Sequence, residues 1–156
     1  MIWPFRRKSK KRMARIVIDE PITSSTRVSV LKALKQIEDR EFPALIVRID
    51  SPGGTVGDSQ EIYSAIKRLK DKGCKVIASF GNISASGGVY IGVASDKIVA
   101  NPGTITGSIG VIIRGNNLSE LLDKIGIKFE TVKSGVFKDI LSPDKPLSEE
   151  GRGLLQ

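Results

Sequence analysis

The sequence contains no histidine and one cysteine, Cys74, among its 156 residues. A Ser-His-Asp triad, a Cys-His dyad and the usual histidine metal sites therefore cannot be built from this chain alone. One cysteine also excludes an intrachain disulfide and a cysteine-cluster zinc site. No stretch approaches the roughly 20 consecutive apolar residues of a membrane-spanning helix. Acid–base chemistry near neutrality is left to lysine, a carboxylate, tyrosine or the amino terminus. No motif calls for a metal or a cofactor, and none is expected.

What the chain does have is a soluble globular balance, 40% hydrophobic and 27% charged, with a formal net charge of +8. The charge is local. Seven basic residues and no acid lie within residues 1–15, and taking those seven from the 25 leaves 18 basic against 17 acidic. The remainder is nearly neutral, so residues 1–13 read as a basic tail on a domain over 14–156. The tail opens Met1-Ile-Trp-Pro-Phe5, two aromatics directly before the cations. That combination suits contact of residues 1–12 with a membrane surface, and equally a solvated start. It is too short for a signal peptide core, and its charges follow the apolar part instead of preceding it. Nucleic acid is not expected as a partner, because no basic and aromatic stripe continues into the domain.

Past the tail, short β-branched runs alternate with helical periodicity. Strands are expected at Arg15–Asp19, Ala44–Ile49, Lys75–Ser79, Lys97–Ala100, Gly110–Ile113 and Phe129–Val132. Their weak polar alternation fits strands covered on both faces. Apolar residues at i, i+3, i+4 and i+7 predict helices around Val30–Ile37, Ile62–Leu69 and Leu118–Ile125. Ser24 or Ser25 could cap the first and Asn116 or Asn117 the third, while Gly73 stops the second. The alternation implies an α/β fold with a mostly parallel sheet and flanking helices. A last helix, capped by Ser148, would stop after about two turns with Leu154 and Leu155 unpartnered, as in a chain lacking its C-terminal part.

Chemistry is expected in small-residue clusters after strands. Asp50-Ser-Pro-Gly-Gly-Thr-Val56 can turn backbone amides toward an anion, or simply be a tight turn; the lysine and hydroxyl of a phosphate loop are missing. Gly81-Asn-Ile-Ser-Ala-Ser-Gly-Gly-Val-Tyr90 opens a helix so poor in side chains that it should pack closely. It places Ser86 at the helix start, although Ser84 or Ser86 could equally be a plain cap. Lys133-Ser-Gly-Val-Phe-Lys-Asp-Ile140 puts Lys138 between Phe137 and Ile140, where partial burial would favour a neutral amine; a plain surface lysine is the alternative.

Together with Arg48-Ile-Asp-Ser-Pro-Gly-Gly54, Ala94-Ser-Asp-Lys-Ile98 and Thr106-Gly-Ser-Ile-Gly-Val111, these motifs resemble the signal peptide peptidase A family, from about Ala14 to Gln156. The resemblance implies a Clp protease/crotonase-like fold and a Ser–Lys dyad serine endopeptidase acting on hydrophobic peptides such as cleaved signal peptides. By position it implies Ser86 as nucleophile, Lys138 as general base, Ser108 as the residue orienting that lysine, and the amides of Gly54 and Gly87 as the oxyanion hole. It further implies a homo-oligomer whose sites are completed between subunits. With no membrane-spanning stretch or signal peptide in the sequence, the expected location is the cytoplasmic side, peripheral to the membrane through residues 1–12. Two departures stand out: members commonly carry an amino-terminal membrane helix, and they continue well past Gln156. The rival readings are a phage capsid-type Ser–Lys protease, a crotonase-like acyl-CoA enzyme and an inactive membrane scaffold. A true Clp protease would need a histidine.

Overall fold

The structure, a computed structural model, describes residues 12–156; the aromatic and basic segment up to residue 11 lies outside the described residues. The chain divides into two compact units, one up to Val111 and one from Ile112 to Gln156.

In the first unit three β-branched runs form the parallel strands β1 (Ala14–Ile18), β2 (Ala44–Ser51) and β3 (Lys75–Ala85), in that spatial order. The far edge of β3 carries two short parallel strands, β4 (Lys97–Val99) near its start and β5 (Ile105–Gly107) near its end. Helix α1 (Ser24–Asp39) links β1 to β2, α2 (Val56–Asp71) links β2 to β3, and α3 (Gly87–Gly92) follows β3. The α/β class with a mostly parallel sheet and flanking helices is as the sequence implies.

The expectation of two covered faces needs correction. Because the strand order advances in one direction, right-handed crossovers bring the helices to the same face. Side chains of β2 accordingly alternate, with Leu45, Val47 and Ile49 buried and their neighbours half-exposed. Buried Val30, Leu34 and Ile37 of α1 and Ile62, Ile66 and Leu69 of α2 meet that face, while Val17 and Ile77 on the opposite one are 43% and 38% exposed.

Helix ends follow local chemistry. Thr23, not Ser24 or Ser25, caps α1: it is extended, and its N–H donates to Thr26 Oγ1 at 3.3 Å. Gly73 ends α2 as expected, with φ +93°, a conformation glycine adopts without a Cβ penalty.

The second unit contains α4 (Ser119–Lys124) and α5 (Glu149–Leu155). Ser148 caps α5 as expected, accepting from the Gly151 N–H at 3.0 Å. Leu118 is the N-cap of α4, although Asn117 Oδ1 accepts from the Ser119 N–H at 3.1 Å. Residues 110–113 and 129–132 are not strands. Ile112 is 72% exposed and Val132 fully so; among the described residues neither run is paired in a ladder, and β propensity without a ladder does not make a strand.

Candidate active site

The ladder between β2 and β3 runs without a break from Ala44 opposite Lys75 to Ile49 opposite Phe80, then shifts so that Ser51 faces Ser84. On the other edge Ala85 pairs with Gly107, and the Ser86 N–H donates to the Gly107 carbonyl at 2.8 Å. Pinned from both sides, the chain turns sharply at Ser86, with φ +49° and ψ −116°, and enters α3. A non-glycine residue held in such a conformation costs about 1–3 kcal/mol and persists only where its surroundings fix it. A strained strand-to-helix turn of this kind presents a serine hydroxyl outward, as in nucleophile elbows. Ser86 is half-buried, while Gly87 and Gly88 after it are buried.

The close packing expected of the small-residue helix is present. A Cβ on Gly87 would come within 2.4 Å of Ser59 Oγ in α2, and one on Gly92 within 2.5 Å of the Phe80 ring. Tyr90 stacks on Tyr63 of α2 with centroids 4.8 Å apart, which anchors α3 further.

Pro52-Gly53-Gly54 lies against the serine turn. Gly53 has φ +97°, and a Cβ there would sit 2.8 Å from the Gly87 nitrogen and 2.9 Å from Ser86 Cβ. Gly54 passes so close to Ile22 that a Cβ would approach its carbonyl oxygen to 1.9 Å. That carbonyl accepts from the Thr55 N–H at 3.0 Å, and the Ile22 N–H donates to the Gly53 carbonyl at 2.9 Å. The Gly53 N–H is used internally, donating to Ser51 Oγ at 3.2 Å. Among the described residues the N–H groups of Gly54 and Gly87 have no acceptor. Gly53 was not singled out in the sequence; the glycine pair is its only signal there. The start of α2 just beyond is braced by Asp58, which the Thr55 hydroxyl and then Arg27 (2.7 Å) hold below the usual carboxylate range.

Ser108 follows Gly107 of β5 and so stands level with Ser86 on the neighbouring strand; it is exposed, with φ +51°.

Lys138 belongs to the second unit, and the partial burial expected of it is not found. It is exposed, and its neighbour Phe137 is 41% exposed. The described residues of that unit bury only Gly151, so the unit has no core of its own to enclose a lysine. The adjacent Asp139 is already engaged: its carboxylate receives Lys133 at 2.8 Å and also Lys145. Those two ammonium groups hold it down at about 2. Lys133 donates in addition to the Val136 carbonyl at 2.9 Å, which closes the loop around Lys138.

A single-faced α/β sheet with a strained serine between paired glycine turns defines a hydrolase-like scaffold. The sequence pattern of peptidase family S49 matches residues 68–156, and the chain belongs to that family. It is 60% identical, over all 156 residues, to a Synechocystis protein provisionally named as a protease, of which it covers 56%. It is 43% identical over 127 residues to an Enterococcus faecium protein provisionally named signal peptide peptidase A, covering 81% of this chain and 37% of that one. Among solved structures it is similar to a membrane protease from Pyrococcus horikoshii specific for a stomatin homologue. The TM-score is 0.53 at 28% identity, covering 63% of this chain and 48% of the other. The chain thus spans about half the length, or less, of these relatives. Among the described residues no helix is long and apolar enough to cross a membrane.

Proposed function

We propose that the chain carries the catalytic serine of a serine endopeptidase working through a Ser–Lys dyad, with Ser86 as nucleophile and Lys138 as general base. The observation that carries the reading is the strained Ser86 turn beside two amides, those of Gly54 and Gly87, that have no acceptor among the described residues. As Ser86 Oγ attacks a peptide carbonyl, Lys138 acts as the general base and takes its proton. The carbonyl oxygen becomes an oxyanion that accepts from the two amides; loss of one such donor costs about 3 kcal/mol. Collapse of the tetrahedral adduct breaks the C–N bond, and the lysine ammonium returns the proton to the leaving amine. The lysine then deprotonates a water that attacks the acyl-serine and frees the new carboxylate and Ser86. The family resemblance assigns Ser108, one residue beyond β5 and level with Ser86, the role of orienting the lysine amine.

Extended hydrophobic peptides, cleaved signal peptides among them, are the substrate class that the family resemblance and the name of the Enterococcus relative support. The same reading includes a homo-oligomer and a membrane-surface contact through residues 1–12. In that segment each cation near an anionic surface would contribute about 1 kcal/mol.

The test is fluorophosphonate labelling of the full-length protein with mass mapping of the adduct. The adduct is expected on Ser86, and Ser86→Ala is expected to abolish both labelling and peptide hydrolysis. A fully active Ser86→Ala enzyme would overturn the reading.

A further inference from the structure

We infer that Asp50 is a positioning residue for Ser86, holding open the two-residue bulge in β3 that brings the serine level with the Pro52-Gly53-Gly54 turn. The inference rests on the reading of Ser86 as nucleophile.

Between Ile49 and Ser51 strand β2 spends one residue, Asp50, whereas β3 spends three, Gly81, Asn82 and Ile83, between the partners Phe80 and Ser84. At about 3.3 Å per strand residue, two surplus residues correspond to roughly 6–7 Å of chain. In an unbroken ladder Ser51 would face Asn82, and Ser86 would lie two residues farther along, away from Gly53.

A bulge leaves backbone groups without ladder partners, and Asp50 binds the N–H side of this one. Its Oδ1 accepts from the Ile83 N–H at 3.0 Å. Hydrogen bonding from the backbone of Ile83 and then Asn82 holds its carboxyl below the usual range. The carboxyl group occupies the space that a side chain at Gly81 would need, since a Cβ there would lie 2.3 Å from Asp50 Cγ. Two carbonyls at the start of the bulge are held by neighbours. Thr104 Oγ1 donates to the Gly81 carbonyl at 2.8 Å, and Arg48 Nη1 donates to the Phe80 carbonyl at 2.8 Å. Arg48 Nη2 is 4.0 Å from Asp50 Oδ2, which adds attraction without a hydrogen bond. Asp50 is the one side chain of β2 that binds the inserted residues, and it does so immediately before the turn that supplies the Gly54 amide.

The experiment compares Asp50→Ala, Asp50→Asn and Ser86→Ala in the full-length protein, reading fluorophosphonate labelling rate, kcat and KM for a fluorogenic peptide, and thermal melting. Asp50→Ala is expected to lower labelling rate and kcat together by about a hundredfold, the scale of a 1 Å misplacement, with KM within about a factor of two. Asp50→Asn keeps an oxygen for Ile83 and is expected to recover part of that loss. Wild-type labelling and kcat in folded Asp50→Ala would overturn the inference. Should that variant not fold, a folded Asp50→Asn enzyme with wild-type kcat would do the same. A Ser86→Ala protein that still labels would instead overturn the nucleophile reading, so the two failures are distinguishable.

Discussion

Ser86 and Ser108 stand side by side at the ends of two paired parallel strands, one residue beyond the Ala85–Gly107 pair, with φ +49° and +51°. Two neighbouring serines in the left-handed region are unusual, because L-residues with a Cβ avoid it. The hydrogen bond from the Ser86 N–H to the Gly107 carbonyl links the two turns.

This pairing separates a hydroxyl role from a backbone role for Ser108. Ser108→Gly relieves the left-handed strain and Ser108→Ala keeps it, but both remove the hydroxyl. If the hydroxyl orients the base, both variants should lose kcat to a similar extent, of the order of tenfold or more. Steady-state kinetics on the two variants checks this; a fully active Ser108→Gly enzyme would leave only the backbone turn as the requirement.

Gly53 provides a second prediction. Its φ of +97°, and the 2.8–2.9 Å at which an added Cβ would meet Ala85, Ser86 and Gly87, leave no room for a methyl group. Gly53→Ala should cost about 1–3 kcal/mol in backbone strain and displace the Ser86 turn. The expected result is a folded protein with a lower melting temperature and almost no fluorophosphonate labelling. Labelling at the wild-type rate would show that the glycine turn and the serine turn move independently.

The loop around Lys138 gives a pH prediction with a definite sign. Asp139 is held at about 2 by Lys133 and Lys145, below its ordinary 3.8. A depressed carboxylate contributes stability that is fully present above its unfolded-state value and is lost as pH falls through its folded-state value. The clamp should therefore hold without change from neutrality down to about pH 4 and release on acidification toward pH 2. Carbon-13 NMR titration of the Asp139 carboxyl should give a midpoint near 2; a midpoint near 3.8 would mean that the two lysines do not engage it in solution.

How much of this was legible in the sequence varies with the range of the interactions. Ser148 as a cap, Gly73 as a stop and Ser86 at the start of a small-residue helix are local features, set by a few neighbouring residues. Residues 110–113 and 129–132 have the composition of strands, but a strand also needs a partner edge, which no local pattern encodes. The shift between Ile49 and Ser51 was invisible for a similar reason. Period-2 patterning marks the faces of each strand, whereas the count of residues between two cross-strand pairs is a property of both strands together. Lys138 lies between Phe137 and Ile140, which suggested burial, yet two flanking apolar residues do not enclose a side chain without a core around them.

The last prediction concerns Lys138 itself. A general base must lose its proton, and arginine does not deprotonate in a protein, while both side chains supply a positive charge of similar reach. Lys138→Arg therefore tests basicity against charge. In the dyad mechanism the arginine variant should be as inactive in peptide hydrolysis as Lys138→Ala, because neither can accept the Ser86 proton. A purely electrostatic role would leave Lys138→Arg near the wild-type rate and disable only Lys138→Ala. The clamp formed by Asp139 with Lys133 and Lys145 does not involve the Lys138 ammonium, so both variants should keep the loop folded. Comparison of kcat for the three full-length proteins, with thermal melts to confirm folding, decides the point. An arginine variant turning over at the wild-type rate would remove Lys138 from the role of base and leave the Ser86 proton to another acceptor.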